Sequence, residues 1–190
     1  MSFDPSQVYR PEADTFLLLQ AARAEMQPGD HVLEIGTGSG TIAAGLLEIP
    51  RTRIVATDIN PHALLCAREA GIEVIRTDLF AAVRGRFDLV LFNPPYLPTL
   101  PEERIDDWLE HALDGGASGR VVIDRFAAGA GRILAPEGRI LLLISSLTGL
   151  DEVREVFSRY GFSAGIAAQQ TVEGEDLYVL RIVRFREMIA

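Results

Sequence analysis

The run Phe87-Asp88-Leu89-Val90-Leu91-Phe92 is followed directly by Asn93-Pro94-Pro95-Tyr96. An apolar run of this length is typical of a buried strand. Neither proline has an N–H to donate to a ladder, and each restricts the residue before it, so the strand must end where this turn begins. Ligands bind at the carboxyl ends of strands in an open α/β sheet. The turn therefore predicts a rigid side-chain amide, that of Asn93, at the binding edge of such a sheet.

Apolar runs alternate with helix-like segments on both sides of this turn. The other predicted strands are residues 31–35, 54–58, 72–76, 139–144, 162–168 and 177–185. The predicted helices are residues 16–22, 41–48, 61–70, 120–134 and 150–160. This alternation predicts a mostly parallel sheet with helices on both faces, and the closely spaced last two strands predict one antiparallel strand. The expected fold class is α/β, a doubly wound sheet of seven strands.

The size of the chain favours one domain. Its 190 residues, 48% of them hydrophobic, suffice for one well-packed core. No apolar run is long enough to cross a bilayer, and the first residues resemble no secretory leader, so we expect a cytoplasmic protein. Residues 97–119 are rich in proline, acid and glycine and exceed an ordinary connection, which predicts a flap that faces the substrate.

The charge and the metal-binding residue types narrow the possible functions. A formal net charge of −9 disfavours bulk binding to DNA or RNA, which requires cationic patches. The single cysteine, Cys66, excludes an internal disulfide and a cysteine-based metal site. His31, His62 and His111 are too scattered to suggest a metal site, so no metal is predicted.

Acidic residues stand at or near the ends of three predicted strands. Glu34 lies just before the glycine turn of residues 36–40, Asp58 ends the second strand, and Asp78 follows the third. Carboxylates accept hydrogen bonds well, so a nucleoside across this edge could offer its ribose hydroxyls to Asp58 and its exocyclic amine to Asp78. Each acid alone could merely cap a helix, but the set together predicts a nucleoside-binding edge.

The glycine turn also raises the possibility of an NAD enzyme. The dinucleotide fingerprint is Gly-x-Gly-x-x-Gly, with helix amides facing a pyrophosphate. Here the spacing is Gly36-x-Gly38-x-Gly40, and Glu34 precedes the first glycine by two residues. This pattern favours a cofactor with an amino-acid tail over one with a pyrophosphate.

These motifs together resemble class I S-adenosylmethionine-dependent methyltransferases that modify a planar amino nitrogen. Further stretches are similar to the archaeal and eukaryotic branch of the HemK-type family, whose members methylate the glutamine of a Gly-Gly-Gln motif in peptide-chain release factors. Those stretches are Val8-Tyr9-Arg10-Pro11, Asp14-Thr15-Phe16-Leu17, Thr57-Asp58-Ile59-Asn60-Pro61, Gly115-Gly116-Ala117-Ser118-Gly119-Arg120 and Asp124-Arg125-Phe126. The resemblance runs from Val8 to the last strand.

The resemblance implies S-adenosylmethionine as the cofactor and assigns roles to the residues that match. Contacts to the cofactor are implied for Thr15, Glu34, Gly36, Gly38, Gly40, Asp58, Asp78, Leu79 and Asn93. The glutamine is expected at Asn93, Pro94, Pro95 and Tyr96, with Arg120 beside the substrate groove. Residues 1–28 are expected to cover the cofactor. Glu12-Ala13 departs from the family, in which a glutamate immediately precedes Asp-Thr.

The chemistry expected of the turn follows from the amide acceptor. A carboxamide nitrogen is a poor nucleophile because its lone pair is delocalised. The Asn93 side-chain oxygen and the Pro94 carbonyl could accept its two hydrogens, which would orient the nitrogen and stabilise positive charge that develops on it. Tyr96 could pack on the amide plane. A sulfonium donor is a good leaving group, so neither a metal nor a covalent enzyme intermediate is needed.

Other acceptors and a partner remain open at this point. The same tetrapeptide could hold adenine in DNA, and a protein lysine is a further alternative, although no general base for lysine is apparent. A scaffold without catalysis is the alternative of a different class. Residues 72–76 should form an edge strand, and relatives work with a small zinc-ribbon activator, so such a partner could add a strand there.

Overall fold

The computed structural model describes residues 3–99 and 107–185. The strands are β1 (His31–Ile35), β2 (Arg53–Asp58), β3 (Glu73–Arg76), β4 (Phe87–Phe92), β5 (Leu134–Ser145), β6 (Phe162–Val172) and β7 (Glu175–Arg184). The helices are α1 (Ala13–Glu25), α2 (Thr41–Leu46), α3 (Pro61–Glu69), α4 (Val121–Ile133) and α5 (Leu150–Arg159), with short 3-10 helices at Pro5–Gln7, Glu110–Ala112 and Ser146–Thr148. No helix in these two ranges has the length and apolar character to cross a membrane.

All seven strands join one sheet in the order β3-β2-β1-β4-β5-β7-β6. Strands β1 to β5 pair in parallel, whereas β7 runs antiparallel to both β5 and β6. The predicted seven-stranded, mostly parallel sheet with one reversed strand is confirmed. Strand β3 forms one edge, as predicted, and β6 forms the other.

Each face of the sheet packs on its own layer of helices. Along β4, Val90 and Phe92 contact the layer that contains α4 and α5, while Leu89 and Leu91 contact the layer of α1 and α2. Side chains alternate between faces along a strand, so a strand covered on both sides needs apolar residues at every position. This double burial is the reason that residues 89–92, directly before Asn93, are all apolar, whereas the partly buried Asp88 accepts the His31 N–H.

Helix α1 begins earlier than predicted. Its first residue is Ala13 instead of Phe16, so Asp14 and Thr15 lie in the first turn instead of in a preceding loop. An acidic side chain is favourable in the first turn because the free N–H groups of the helix start carry partial positive charge. The earlier start turns Asp14 into a buried residue.

Strand β5 also departs from its predicted bounds. Residues 136–138 were expected to form a turn before a strand at residue 139, but the strand starts at Leu134. Phe87 pairs with Leu134 and Leu89 with Arg139, so the extra residues bulge out of the ladder. Proline is tolerated in a strand at such a bulge because the bulged residue needs no ladder hydrogen bond.

Gly40 allows the glycine turn to pack tightly beneath α2. Its backbone is left-handed, with φ of 78°, and an added Cβ would lie 2.9 Å from the Cα of Ala67 in α3. Only glycine satisfies both requirements without strain. Gly40 therefore sets the spacing of α2 and α3 below the binding edge of the sheet.

Candidate active site

A cleft of about 850 Å³ lies over the carboxyl ends of β1, β2 and β4. It brings together most residues that the sequence assigned to the site: Thr15, Glu34, Gly36, Gly38, Asp58, Asp78, Leu79, Asn93, Pro94, Pro95 and Tyr96. Gly40 and Arg120 do not line it. Gly40 lies beneath the turn against α3, and the Arg120 guanidinium donates to the carbonyl of Thr148.

Asp58 is fixed at the end of β2 by backbone N–H groups. The Gly38 N–H donates to its Oδ2 at 2.9 Å, and the Asn60 N–H donates to its Oδ1 at 2.8 Å. Burial raises the pKa of Asp58, and these backbone donors oppose the rise. The carboxylate thus joins the glycine turn to the start of α3 and keeps an oxygen edge on the cleft.

Glu34 is almost fully buried at the end of β1. The Thr37 hydroxyl donates to its Oε2 at 2.7 Å. Loss of hydration on burial raises the pKa of Glu34 to about 8, against the opposing effect of the Thr37 hydrogen bond. The side chain therefore carries a proton over much of the neutral range, which allows it to donate as well as accept a hydrogen bond.

Asp78 and Leu79 form the wall of the cleft beyond β3. Asp78 pairs with the guanidinium of Arg125 at 2.5 Å, and both side chains are about half exposed. Leu79 has a left-handed backbone, with φ of 50°, and its carbonyl accepts a hydrogen bond from the Thr57 hydroxyl at 3.0 Å. Such a conformation is strained for a residue with a Cβ and persists where the surrounding structure imposes it.

Asn93 is held by a buried carboxylate that no prediction singled out. Its Nδ2 donates to Asp14 Oδ2 at 3.0 Å. The phenols of Tyr9 and Tyr96 donate to the same oxygen at 3.1 and 3.3 Å. Desolvation, followed by the nearby Asp14 charge, raises the pKa of both phenols, so both stay protonated and act as donors. Asp14 thereby ties the first turn of α1 to the Asn-Pro-Pro-Tyr turn.

The other atom of the Asn93 amide is left for a ligand. Its Oδ1 is buried and has no hydrogen-bond partner among the described residues. A buried acceptor without a donor costs roughly 1–3 kcal/mol, so native structures rarely leave one unpaired. Because Asn93 lines the cleft, this oxygen is a candidate acceptor for an N–H or O–H group of a bound molecule.

Gly115 and Gly119 pack closely against the backbone of the Asn-Pro-Pro-Tyr turn. A Cβ on Gly115 would lie 2.9 Å from the carbonyl oxygen of Pro95, and one on Gly119 would lie 2.4 Å from that of Tyr96. The Thr148 hydroxyl donates to the same Tyr96 carbonyl at 3.3 Å. These glycines therefore fix the backbone that carries Asn93 instead of contacting a ligand themselves.

Two covering segments meet above the cleft. Gln7, in the N-terminal segment, accepts a hydrogen bond from the Trp108 N–H at 3.0 Å on its side chain and one from Asn60 Nδ2 at 2.7 Å on its carbonyl. The Arg76 guanidinium lies 5.8 Å from the centre of the Trp108 ring. Both segments line the cleft, although residues 100–106 of the predicted flap fall outside the described residues.

Several lining residues had no predicted role, chiefly Tyr9, Asp14, Trp108 and Arg125. In the sequence, Asp14 is indistinguishable from an ordinary acid at a helix start. The signal that distinguishes it is its burial together with donors from Tyr9, five residues before it, and from Tyr96, 82 residues after it. Only the fold brings these groups together.

The strand order, the reversed β7 and a cleft at the carboxyl ends of the parallel strands define a class I methyltransferase fold. Residues 10–106 match the family model of the methyltransferase small domain. The chain belongs to this family and, within it, to the HemK-type glutamine methyltransferases. It is an S-adenosylmethionine-dependent enzyme, as predicted.

Three relatives illustrate the similarity. A Methanocaldococcus jannaschii protein, provisionally named a protein N5-glutamine methyltransferase, is 40% identical, with 94% of this chain and 92% of the relative covered. The Mus musculus methyltransferase HEMK2 is 36% identical, with coverage of 92% and 88%. The chain of the E. cuniculi Mtq2-Trm112 complex, described as responsible for methylation of the termination factor eRF1, matches with a TM-score of 0.78 and 30% identity, covering 94% of this chain and 99% of that one.

The residues present fit S-adenosylmethionine. A Cβ at Gly38 would meet nothing within 4 Å, so this backbone faces open space in the cleft. Asp58, at the end of β2, can accept hydrogen bonds from a ribose, and the half-exposed Asp78 can accept one from an adenine amine. Asn93, whose amide oxygen has no partner among the described residues, lines the same cleft.

The raised pKa of Glu34 predicts a specific pH dependence of stability. The folded form keeps its proton up to a pKa of about 8, whereas the unfolded chain releases it near 4.5. This contribution is therefore complete below pH 4.5 and is lost as the pH rises through 8, on the order of 5 kcal/mol in total. Urea unfolding of the ligand-free protein and of Glu34→Gln should show the stability of the parent falling relative to the variant across this window. Parallel curves would contradict the buried, protonated Glu34.

Proposed function

We propose that this enzyme methylates the N5 nitrogen of a glutamine in a peptide-chain release factor, within a Gly-Gly-Gln motif. The relatives support this assignment, since their names refer to N5-glutamine methylation, to release factors and to eRF1. The observation that carries it is the buried Asn93 Oδ1 without a partner. A primary amide offers the N–H donor that this acceptor lacks.

The proposed role of Asn93 and Pro94 is to hold the acceptor nitrogen by its hydrogens. The Asn93 Oδ1 would accept one N–H and the Pro94 carbonyl the other. Both oxygens carry partial negative charge, so they favour positive charge that develops on the nitrogen as it attacks. Pro95 and the closely packed Gly115 and Gly119 restrict movement of this backbone. The lone pair of the acceptor nitrogen is thereby held in a fixed direction.

The proposed role of Tyr96 in methyl transfer is to place its ring beside the acceptor, without transferring a proton. Its raised pKa keeps the phenol neutral, and its hydroxyl points to Asp14, so the ring is fixed beside the Asn93 amide. In this orientation the ring can pack against the plane of the acceptor amide. Arg120 is proposed to act near the groove through Thr148, whose hydroxyl in turn supports the Tyr96 carbonyl.

The opposite part of the cleft is proposed to hold the methyl donor. S-adenosylmethionine supplies an electrophilic methyl on a sulfonium, which is a good leaving group. Asp58 would accept from the ribose, Asp78 and the Leu79 backbone would hold the adenine, and the turn that contains Gly36, Gly38 and Gly40 would lie along the amino-acid tail, with Thr15 and Glu34 at its far end. We further propose that the chain forms a single domain, in which the described residues of the two segments, 3–28 together with 97–99 and 107–119, exclude water above the cleft.

The alternative acceptors fit less well. Adenine in DNA also presents a planar NH₂ group, but the chain carries a net charge of −9, which opposes approach of a duplex. Lysine would have to lose a proton before attack. Asp14, the buried carboxylate beside Asn93, already accepts from two phenols and an amide, so it is poorly placed to act as that base.

We also propose a small zinc-ribbon activator at the edge strand β3, and a cytoplasmic location, where translation terminates. The Trm112 subunit named in the E. cuniculi complex supports the presence of a partner. Val74 and Ile75 of β3 are only partly buried, so this edge offers both backbone groups and apolar surface for an added strand.

A methylation assay should identify the acceptor. We expect label from S-adenosylmethionine to enter a release factor, but not its Gln→Ala variant at the Gly-Gly-Gln motif and not duplex DNA. Asn93→Ala should lower turnover by at least about 100-fold while it leaves cofactor binding measurable by calorimetry, because a single catalytic hydrogen-bond partner contributes roughly 3 kcal/mol. Gln169→Ala, which removes an exposed amide from β6, is the matched control and should behave as the parent. Equal labelling of the Gln→Ala substrate would refute glutamine as the acceptor.

Hydrogen exchange should locate the partner. When the activator binds, the backbone amides of residues 73–76 that point away from β2 should exchange at least about tenfold more slowly, because an added strand supplies their hydrogen-bond partners. Strand β6, the opposite edge, is the internal control and should not change. Protection on β6 alone, or full activity of the isolated chain without any partner, would rule out this arrangement.

A further inference from the structure

Asp14 is a buried cleft carboxylate to which the reaction scheme above gives no function of its own. Its side chain is 4% exposed. It nevertheless accepts five hydrogen bonds, from Tyr9, Thr15, Asn93 and Tyr96. Burial of a carboxylate is costly unless such donors compensate for its lost hydration. A residue held this firmly beside the acceptor site calls for a functional explanation.

The donors around Asp14 are divided unequally between its two oxygens. Oδ1 accepts the backbone N–H of Thr15 at 2.6 Å and the Thr15 hydroxyl at 3.2 Å. Oδ2 accepts Asn93 Nδ2 and the two tyrosine hydroxyls. The backbone donor on Oδ1 cannot rotate away, so the orientation of the carboxylate is fixed by α1 itself.

This arrangement dictates which end of the Asn93 amide faces the acceptor. An ionised carboxylate only accepts hydrogen bonds, so the NH₂ end of Asn93 must turn toward Asp14. The oxygen end is then the one left unpartnered in the cleft. Without Asp14 the amide could rotate by 180° and present a donor instead, since the two ends are nearly the same size.

We propose that Asp14 determines acceptor specificity: by orienting the Asn93 amide, it makes the site select a group that carries N–H donors and reject a carbonyl or carboxylate oxygen. Asp14 is thus a positioning residue, which acts on the substrate only through Asn93. This inference rests on the proposed glutamine acceptor, and it explains how one enzyme distinguishes glutamine from the nearly isosteric glutamate.

The Asp14→Asn variant should invert the polarity of the site at almost constant shape. The Thr15 N–H still requires an oxygen at the Oδ1 position, which forces the new NH₂ group into the Oδ2 position. That group is a donor, so Asn93 must turn its oxygen toward residue 14 and its NH₂ toward the cleft. The acceptor site then repels N–H groups and attracts oxygens.

Kinetics should reveal this inversion. For Asp14→Asn we expect kcat on the release factor to fall about 100-fold or more, with cofactor affinity within about twofold of the parent. Release factors with Gln→Glu and with Gln→Ala at the acceptor position serve as inhibitors. The ratio of inhibition by the Gln→Glu protein to inhibition by the Gln→Ala protein should be higher for the Asp14→Asn enzyme than for the parent enzyme. A variant that had only lost structure would bind the cofactor, the Gln→Glu protein and the Gln→Ala protein more weakly. It would not gain a preference for the Gln→Glu protein. Asp151→Asn, which changes a side chain that is 89% exposed on α5 and, among the described residues, pairs only with Arg154, is the matched control.

Side-chain NMR tests the orientation without any acceptor. The chain contains two asparagines, Asn60 and Asn93, so selective ¹⁵N-asparagine labelling gives a simple spectrum in which Asn60 is the internal reference. In the parent, the Asn93 NH₂ should exchange slowly with solvent because it donates to a buried carboxylate. In Asp14→Asn it should exchange faster by about tenfold or more.

The outcomes separate this inference from the function on which it rests. A parent enzyme that leaves glutamine unmodified would overturn the proposed function, while a protected Asn93 amide in the same sample would still uphold the orienting role of Asp14. An Asn93 NH₂ that exchanges freely in the parent, or equal inhibition of parent and variant by the Gln→Glu protein, would overturn the inference even with glutamine as the proven acceptor.

Discussion

The hydrogen bond between Asp14 and the Asn93 amide is the constraint on which the site depends. It joins the first turn of α1 to the end of β4, residues 79 positions apart in the chain. Each side of the bond is itself fixed, on one side by the Thr15 backbone and on the other by two prolines and the close contacts of Gly115 and Gly119. A rigid acceptor results, and rigidity matters because catalytic hydrogen bonds must be in place before charge develops.

The remaining parts of the cleft follow from the sheet. Parallel strands end at one edge, so the Asp58 carboxylate, the glycine turn and Asn93 are brought together by topology alone. The N-terminal segment and the segment around Trp108 also line the cleft, and Gln7 joins them by hydrogen bonds with Asn60 and Trp108. The part of the cleft proposed for the methyl donor is thus formed by the ends of parallel strands. The part proposed for the acceptor depends on the hydrogen bond between Asp14 of α1 and Asn93.

The sequence was sufficient for the fold and for most of the cleft, because apolar periodicity, glycine turns and prolines act over short ranges. It predicted the edge position of β3 and the acids at the ends of β1 and β2. It did not identify Asp14, since burial of an acid depends on donors from Tyr9 and Tyr96 that only the folded chain supplies. The bulge in β5 was missed for a similar reason, because pairing of Leu134 with Phe87 overrides the local turn signal.

A crystal structure with a Gly-Gly-Gln peptide and the demethylated cofactor would test most directly whether Asn93 holds the acceptor nitrogen. We expect the glutamine nitrogen within about 2.7–3.2 Å of both Asn93 Oδ1 and the Pro94 carbonyl oxygen, the range of N–H···O hydrogen bonds. A glutamine bound through its oxygen, or a nitrogen more than about 4 Å from Asn93 Oδ1 with the cleft otherwise closed, would contradict this role.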